Sequence, residues 1–321
     1  MKKTFIFLSC LIFFLIILIV YVNAKGDNKT NSNTEKCICS DCEKKANINS
    51  INQQIINVIH VPESVSFAGE ELPLSYFDVR ESLERELNQI TYSHSQTLLT
   101  IRLSGRYFGI IDSILKKQGI PDDFKYLCVA ESNLQNAIST AKAVGFWQFL
   151  SGVGEYYGLE INEEVDERYN VEKSTVAASK YLKESYQKYH NWTLAAASYN
   201  MGTTNLNKVI ENQQTANYYD LMLNPETIRY LYRIAAYKII FNNPELYGFY
   251  ISENEKFKPF KYREITVNYP IKSIAKFAKK HGTNYKMIKL LNPWLRKNTL
   301  TNKTKKSYKI KIPTENFRTG E

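Results

Sequence analysis

The chain has 321 residues, 44% of them apolar and 13% aromatic, and a formal charge of +10. That is enough apolar sequence for one sizeable domain and a small one, and it excludes a chain too short or too polar to bury a core. The positive charge suggests an anionic partner or surface. It is uneven: Glu255 to Pro313 holds 17 Lys and Arg against 2 Asp and Glu, whereas the remainder is net negative.

Residues 1–24 read as an export segment. Lys2 and Lys3 precede an apolar run of 18 residues, Phe5 to Val22, and Val22-Asn23-Ala24 has the small-x-small pattern of a cleavage site. The run is long for a signal peptide and short for a bilayer span, so a cleaved signal and a membrane anchor both fit. Residues 25–57 are rich in Asn, Lys, Ser and Glu and read as a flexible tether. They include Cys37, Cys39 and Cys42, whose spacing fits a local disulfide or exposed thiols better than a metal site, since no His lies nearby.

Residues 58–255 are expected to be helical. Tyr107, Ile110, Ile111, Ile114 and Leu115 recur at helical spacing. Gly119 stops that helix, and Pro121, Asp122 and Asp123 start the next. Further helices are expected over about 174–189, 192–199 and 228–241. The acidic stretch containing Glu155, Glu160, Glu163, Glu164 and Asp166 reads as a solvated loop, with Asp166-Glu167-Arg168 supporting it by ion pairing. Residues 256–313 change character. A strand at 265–267, a helix carrying Ile271, Ile274, Ala275 and Ala278, a helix carrying Met287, Leu290 and Leu291, and a strand at 308–312 give the order βααβ. Residues 314–321 form a tail.

Three short motifs carry the chemistry. Glu131-Ser132 ends an apolar stretch, Tyr126 to Ala130, where partial desolvation favours a protonated carboxyl suited to a general acid. Gly145-Phe146-Trp147-Gln148 follows, then Tyr199-Asn200 at the end of an alanine-rich run. One acid, two amides and a phenol, without a His or Cys cluster or a phosphate loop, suit acid/base work on a neutral, hydroxyl-rich polymer. No metal or other cofactor is called for.

In sequence and order these motifs resemble the lytic transglycosylases of bacterial cell walls (the soluble-lytic-transglycosylase-like family 1), in particular the membrane-bound murein transglycosylase D type. That family carries Glu-Ser, then Ser-x-x-Gly-Ala-x-Gly-x-Trp-Gln-Phe, then Ala-x-Tyr-Asn. This chain has Glu131-Ser132, the stretch Ser139 to Phe149, and Ala197-Ser198-Tyr199-Asn200. It departs at Lys142, at 150–153 and at Asn170-Val171, which bears on loop shape around the cleft.

The resemblance implies a mainly α, lysozyme-like catalytic domain. It also implies cleavage of the β-1,4 bond between N-acetylmuramic acid and N-acetylglucosamine in peptidoglycan glycan strands, leaving a 1,6-anhydro end. By family position Glu131 is the catalytic acid and then base. Gln148 and Asn200 bind sugar, Tyr199 orients Glu131 or the N-acetyl group, Ser132 and Ser139 brace the cleft, and Gly145 permits close backbone approach. Residues 256–313 resemble a divergent LysM module, a small glycan-binding βααβ domain with a basic surface. The alternatives are a lysozyme-type hydrolase and a non-catalytic peptidoglycan-binding protein. The export segment argues against nucleic acid as partner and places the protein in the periplasm or cell envelope, with residues 5–22 as a possible membrane anchor.

Overall fold

Helices dominate residues 58–319, the part of the chain that the computed structural model describes. The expected export segment, the tether and Cys37, Cys39 and Cys42 lie outside the described residues, as do residues 320 and 321. The described part begins with a two-strand hairpin, β1 (Ser66–Phe67) and β2 (Glu70–Glu71), paired antiparallel. Eight helices follow: α1 (Phe77–Tyr92), α2 (His94–Gln118), α3 (Phe124–Ser132), α4 (Ser151–Tyr156), α5 (Val171–Tyr189), α6 (Trp192–Met201), α7 (Thr203–Gln213) and α8 (Thr227–Asn242).

Their boundaries have local causes. Gly119 ends α2 in the left-handed region, where a residue without Cβ carries no penalty. Asn170 and Asn191 cap α5 and α6 by accepting from Lys173 N and Leu194 N. Glu70, in the hairpin, accepts from the first amides of α6, Trp192 N at 2.6 Å and Thr193 N at 2.9 Å. A carboxylate there also suits the positive end of the helix dipole.

The main core joins α1 to α8, α2 to α5, and α3 and α6 to α8. Ala195, Ala196 and Ala197 are fully buried on α6, which lets its neighbours approach closely. Glu86 of α1 is 1% exposed and pairs with Arg229 at 2.6 Å and Arg233 at 3.2 Å, both on α8. Loss of both arginines would leave the buried Glu86 charge uncompensated, so the pairing favours this placement of α8 against α1.

Strand β3 (Tyr262–Val267), helices α9 (Ile274–Lys280) and α10 (Tyr285–Leu291) and strand β4 (Tyr308–Pro313) complete the fold. β3 and β4 pair antiparallel from Tyr262↔Pro313 to Val267↔Tyr308. The inward faces differ in detail from the expected ones. Phe277 and Ile288 are buried, whereas Ala275 and Leu290 are exposed, because each helix is only two turns long and its start sets its face. The apolar cluster around β3 and β4 also contains Val144, Val165 and Tyr169 from the helical part, and the described residues form one compact unit.

Candidate active site

A cleft of about 470 Å³ opens where α3, α6 and the start of α8 meet the loop between α3 and α4. Glu131, Ser139, Gln148, Tyr199, Asn200 and Glu226 are among its lining residues. That volume lies in the range of small-ligand sites. The three sequence motifs are thus brought to one place, although they come from different elements.

Glu131 sits in the last turn of α3 and is partly buried. Burial pushes its carboxyl up from an ordinary 4.5 to about 7. The Tyr230 hydrogen bond opposes the rise, the Glu226 charge adds to it, and the Arg233 charge opposes it. Tyr230, one turn into α8, donates its phenolic hydrogen to Glu131 Oε1. Burial, with the Glu131 charge beside it, holds the Tyr230 phenol well above its ordinary value, so it remains a donor.

The loop carrying Gln148 is held by its own backbone. Val144 pairs with both Ile138 and Phe149 as isolated bridges, and Gly145 N donates to Ala137 O at 2.9 Å. Gln148 adopts φ +48° and donates its amide hydrogens to Gly145 O at 2.7 Å and Ala137 O at 3.1 Å. This leaves its Oε1 as an acceptor at the cleft. Ser139 Oγ accepts from Ala143 N at 3.0 Å and closes the same loop. Fully buried Trp147 anchors the loop to α5 by donating to Thr175 Oγ1 at 2.8 Å.

The other expected site residues have these partners. The Tyr199 hydroxyl donates to Trp147 O at 2.7 Å, so it braces the Gln148 loop, and Tyr230 is the phenol on Glu131. Asn200 Oδ1 accepts from Thr227 Oγ1 at 2.7 Å, which leaves its amide hydrogens as donors. Ser132 is buried and bonds back to Cys128 O at 3.2 Å, away from the cleft lining. Gly145 is also buried. A Cβ there would lie 2.0 Å from Arg168 O, so its close approach is to protein backbone.

Sequence reading missed Tyr230 and Glu226. Thr227 and Tyr230 stand three apart on α8, the spacing that presents two side chains from one helical face, and that is the available local signal. In the acidic stretch Glu155 and Glu163 are exposed and Asp166 pairs with Arg168, both as expected, but Glu160 and Glu164 are not simply solvated. Asp166 is buried against Arg168, and Glu160 and Glu164 are bonded to residues beyond position 294. None of Glu155, Glu160, Glu163, Glu164 or Asp166 lines the cleft. Among the described residues no group of His, Cys, Asp and Glu is placed to hold a metal ion.

Comparison with known proteins accords with this geometry. Residues 110–222 match the family model described as Transglycosylase SLT domain, and residues 263–316 match that of the Soluble lytic transglycosylase C-terminal LysM-like domain. The chain is 26% identical over 244 residues to membrane-bound lytic murein transglycosylase D of Escherichia coli strain K12, covering 73% of this chain and 52% of that protein. It is also 26% identical over 108 residues to a putative tributyltin chloride resistance protein of Alteromonas sp. strain M-1, covering 33% of this chain and 52% of that one. The chain therefore spans about half the length of these curated relatives. The first matched segment contains Glu131, Gln148 and Tyr199-Asn200 and ends before Glu226 and Tyr230.

Proposed function

We propose that this chain, which carries a transglycosylase SLT domain and a C-terminal LysM-like domain of the soluble lytic transglycosylase type, is a peptidoglycan lytic transglycosylase. It would act on glycan strands in the cell envelope, with residues 58–255 as the catalytic domain and 256–313 as the LysM-like one. The observation that carries this reading is a cleft carboxyl, Glu131, raised to about 7 and aimed by Tyr230. Near neutral pH such a group is populated in both states, as an acid that must then serve as base requires.

The chemistry balances without water. Protonated Glu131 gives its hydrogen to the glycosidic oxygen between N-acetylmuramic acid and N-acetylglucosamine. The bond from that oxygen to the anomeric carbon breaks, and the acetamido oxygen of the muramoyl ring stabilises the positive charge. The Glu131 carboxylate then removes the proton from the 6-hydroxyl of the same ring. Oxygen 6 bonds to the anomeric carbon, closing the 1,6-anhydro ring and returning Glu131 to its starting state. The Gln148 acceptor and the Asn200 donors would hold sugar hydroxyl and acetamido groups. Mass spectrometry of muropeptides from digested sacculi tests the reading. Anhydro ends are expected, and exclusively reducing ends would overturn it.

One observation favours a second reading, hydrolysis. Glu226 lines the same cleft as Glu131, and a second carboxylate can serve as base for water in a glycosidase.

A further inference from the structure

The LysM-like domain does not hang from the helical domain; its core includes a residue of the loop that carries Gln148 into the cleft. Val144, which immediately precedes the Gly145-to-Gln148 motif, is 5% exposed and belongs to the apolar cluster of Val267, Ile274, Trp294, Leu295 and Ile310. Its side chain is thus part of the LysM-like core, while its backbone forms the Gln148 loop.

A second connection runs through residues 160–168. Val165 forms an antiparallel bridge with Leu295, Asp166 N donates to Trp294 O at 2.9 Å, and Arg296 N donates to Glu164 O at 2.7 Å. The Glu164 carboxylate accepts from Thr299 Oγ1 at 2.7 Å and from Thr301 N and Oγ1, both at 2.8 Å. Asp166, fixed in this way, pairs with Arg168 at 2.7 Å. The Arg168 guanidinium also donates to Phe149 O at 3.1 Å and Lys142 O at 3.5 Å, the two ends of the Gln148 loop. Arg168 O fills the space beside Gly145.

We propose that the LysM-like domain sets the catalytic geometry, with Val144, Glu164, Asp166 and Arg168 as positioning residues that hold Gln148 opposite Glu131. This rests on the transglycosylase reading of that cleft. A module that only recruits the enzyme to the wall would affect turnover of sacculi alone. A positioning module affects every substrate, because misplacing a cleft group by about 1 Å can cost up to roughly 100-fold.

The test uses the full chain and three variants: Val144→Ala, Glu164→Ala and Glu164→Gln. Each is assayed on sacculi and on a short soluble glycan tetrasaccharide. The expected result is a fall in kcat of roughly 10-fold or more on both substrates for the two alanine variants. Glu164→Gln should restore most of it, because its amide oxygen can still accept from Thr301 N and Oγ1 while its amide nitrogen donates to the Thr299 hydroxyl, which can turn to accept. Wild-type kcat on the soluble substrate, with loss confined to sacculi, would overturn the proposal. Hydrogen exchange of the peptide covering residues 142–149 supplies a readout independent of activity. Exchange should accelerate in Glu164→Ala and return in Glu164→Gln; unchanged exchange in both would overturn the coupling. Exchange that responds in an enzyme with no turnover at all would place the failure in the transglycosylase reading instead.

Discussion

Tyr230 on α8 donates its phenolic hydrogen to Glu131 at the end of α3, across 99 positions of sequence. The bond favours the carboxylate and restrains a rise caused by burial. In Tyr230→Phe that restraint is absent, so the Glu131 carboxyl moves above about 7. The alkaline limb of kcat/KM against pH, set by loss of the catalytic proton, should shift to higher pH. Loss of orientation should lower the maximum roughly 10-fold. A pH profile measured on a soluble glycan checks both. A limb that stays in place or moves to lower pH would show that Tyr230 does not tune the acid.

Glu131→Gln should remove activity, because an amide cannot deliver the proton; general acid catalysis is worth roughly 100- to 10,000-fold. The same variant should be the more stable protein at alkaline pH. The folded value, about 7, lies above the ordinary 4.5, so the native state binds this proton more tightly than the unfolded chain. The group costs nothing below the lower value. As pH rises through the higher one it destabilises the fold by at most about 3 kcal/mol. Urea unfolding at pH 4.5 and pH 8 should show the variant's advantage growing toward the alkaline side. An advantage that is constant or reversed would mean that burial does not raise the Glu131 carboxyl.

The sequence made much of this cleft legible because the informative residues sit in short contiguous motifs. Glu131, Gln148 and Tyr199-Asn200 could be picked out without knowing how the chain closes, and Gly119 marked the end of α2 by its backbone freedom. Tyr230 and Glu226 carry no such mark. They reach the cleft because the core and the pairs of Glu86 with Arg229 and Arg233 hold α8 against α1, a long-range packing that periodicity does not encode. The acidic stretch misled for a related reason. Charged residues at 160–166 read as solvated until partners more than 125 positions away close over them, Lys306 on Glu160 and Thr299 and Thr301 on Glu164.

Gly145 should tolerate no side chain. Its φ of +85° lies in the region L residues rarely adopt, and a Cβ would meet Arg168 O at 2.0 Å. Backbone cannot swing aside as the end of a flexible side chain can. Gly145→Ala should therefore cost roughly 3–5 kcal/mol, or displace Arg168 and with it the Gln148 loop. Denaturant unfolding checks the first outcome. Near-parental stability with near-parental activity would show that the contact between Gly145 and Arg168 is not required.

Glu226 decides between the two reactions that the cleft could support. It is exposed and lines the cleft shared with Glu131, and its negative charge raises the Glu131 carboxyl. In Glu226→Gln that contribution disappears, so the alkaline limb should move to lower pH, the opposite of Tyr230→Phe. The shift should shrink as ionic strength rises, since charge across solvent is screened within about 10 Å at 0.1 M salt. The products discriminate further. If the muramoyl 6-hydroxyl is the nucleophile, the proton it loses returns to Glu131 and no second base is needed. The proportion of anhydro to reducing ends should then be the same in parent and variant. If Glu226 activates water, the parent should release reducing ends and the variant should lose them selectively. An altered product ratio, rather than an altered rate, is the outcome that would make Glu226 a base and the protein a hydrolase.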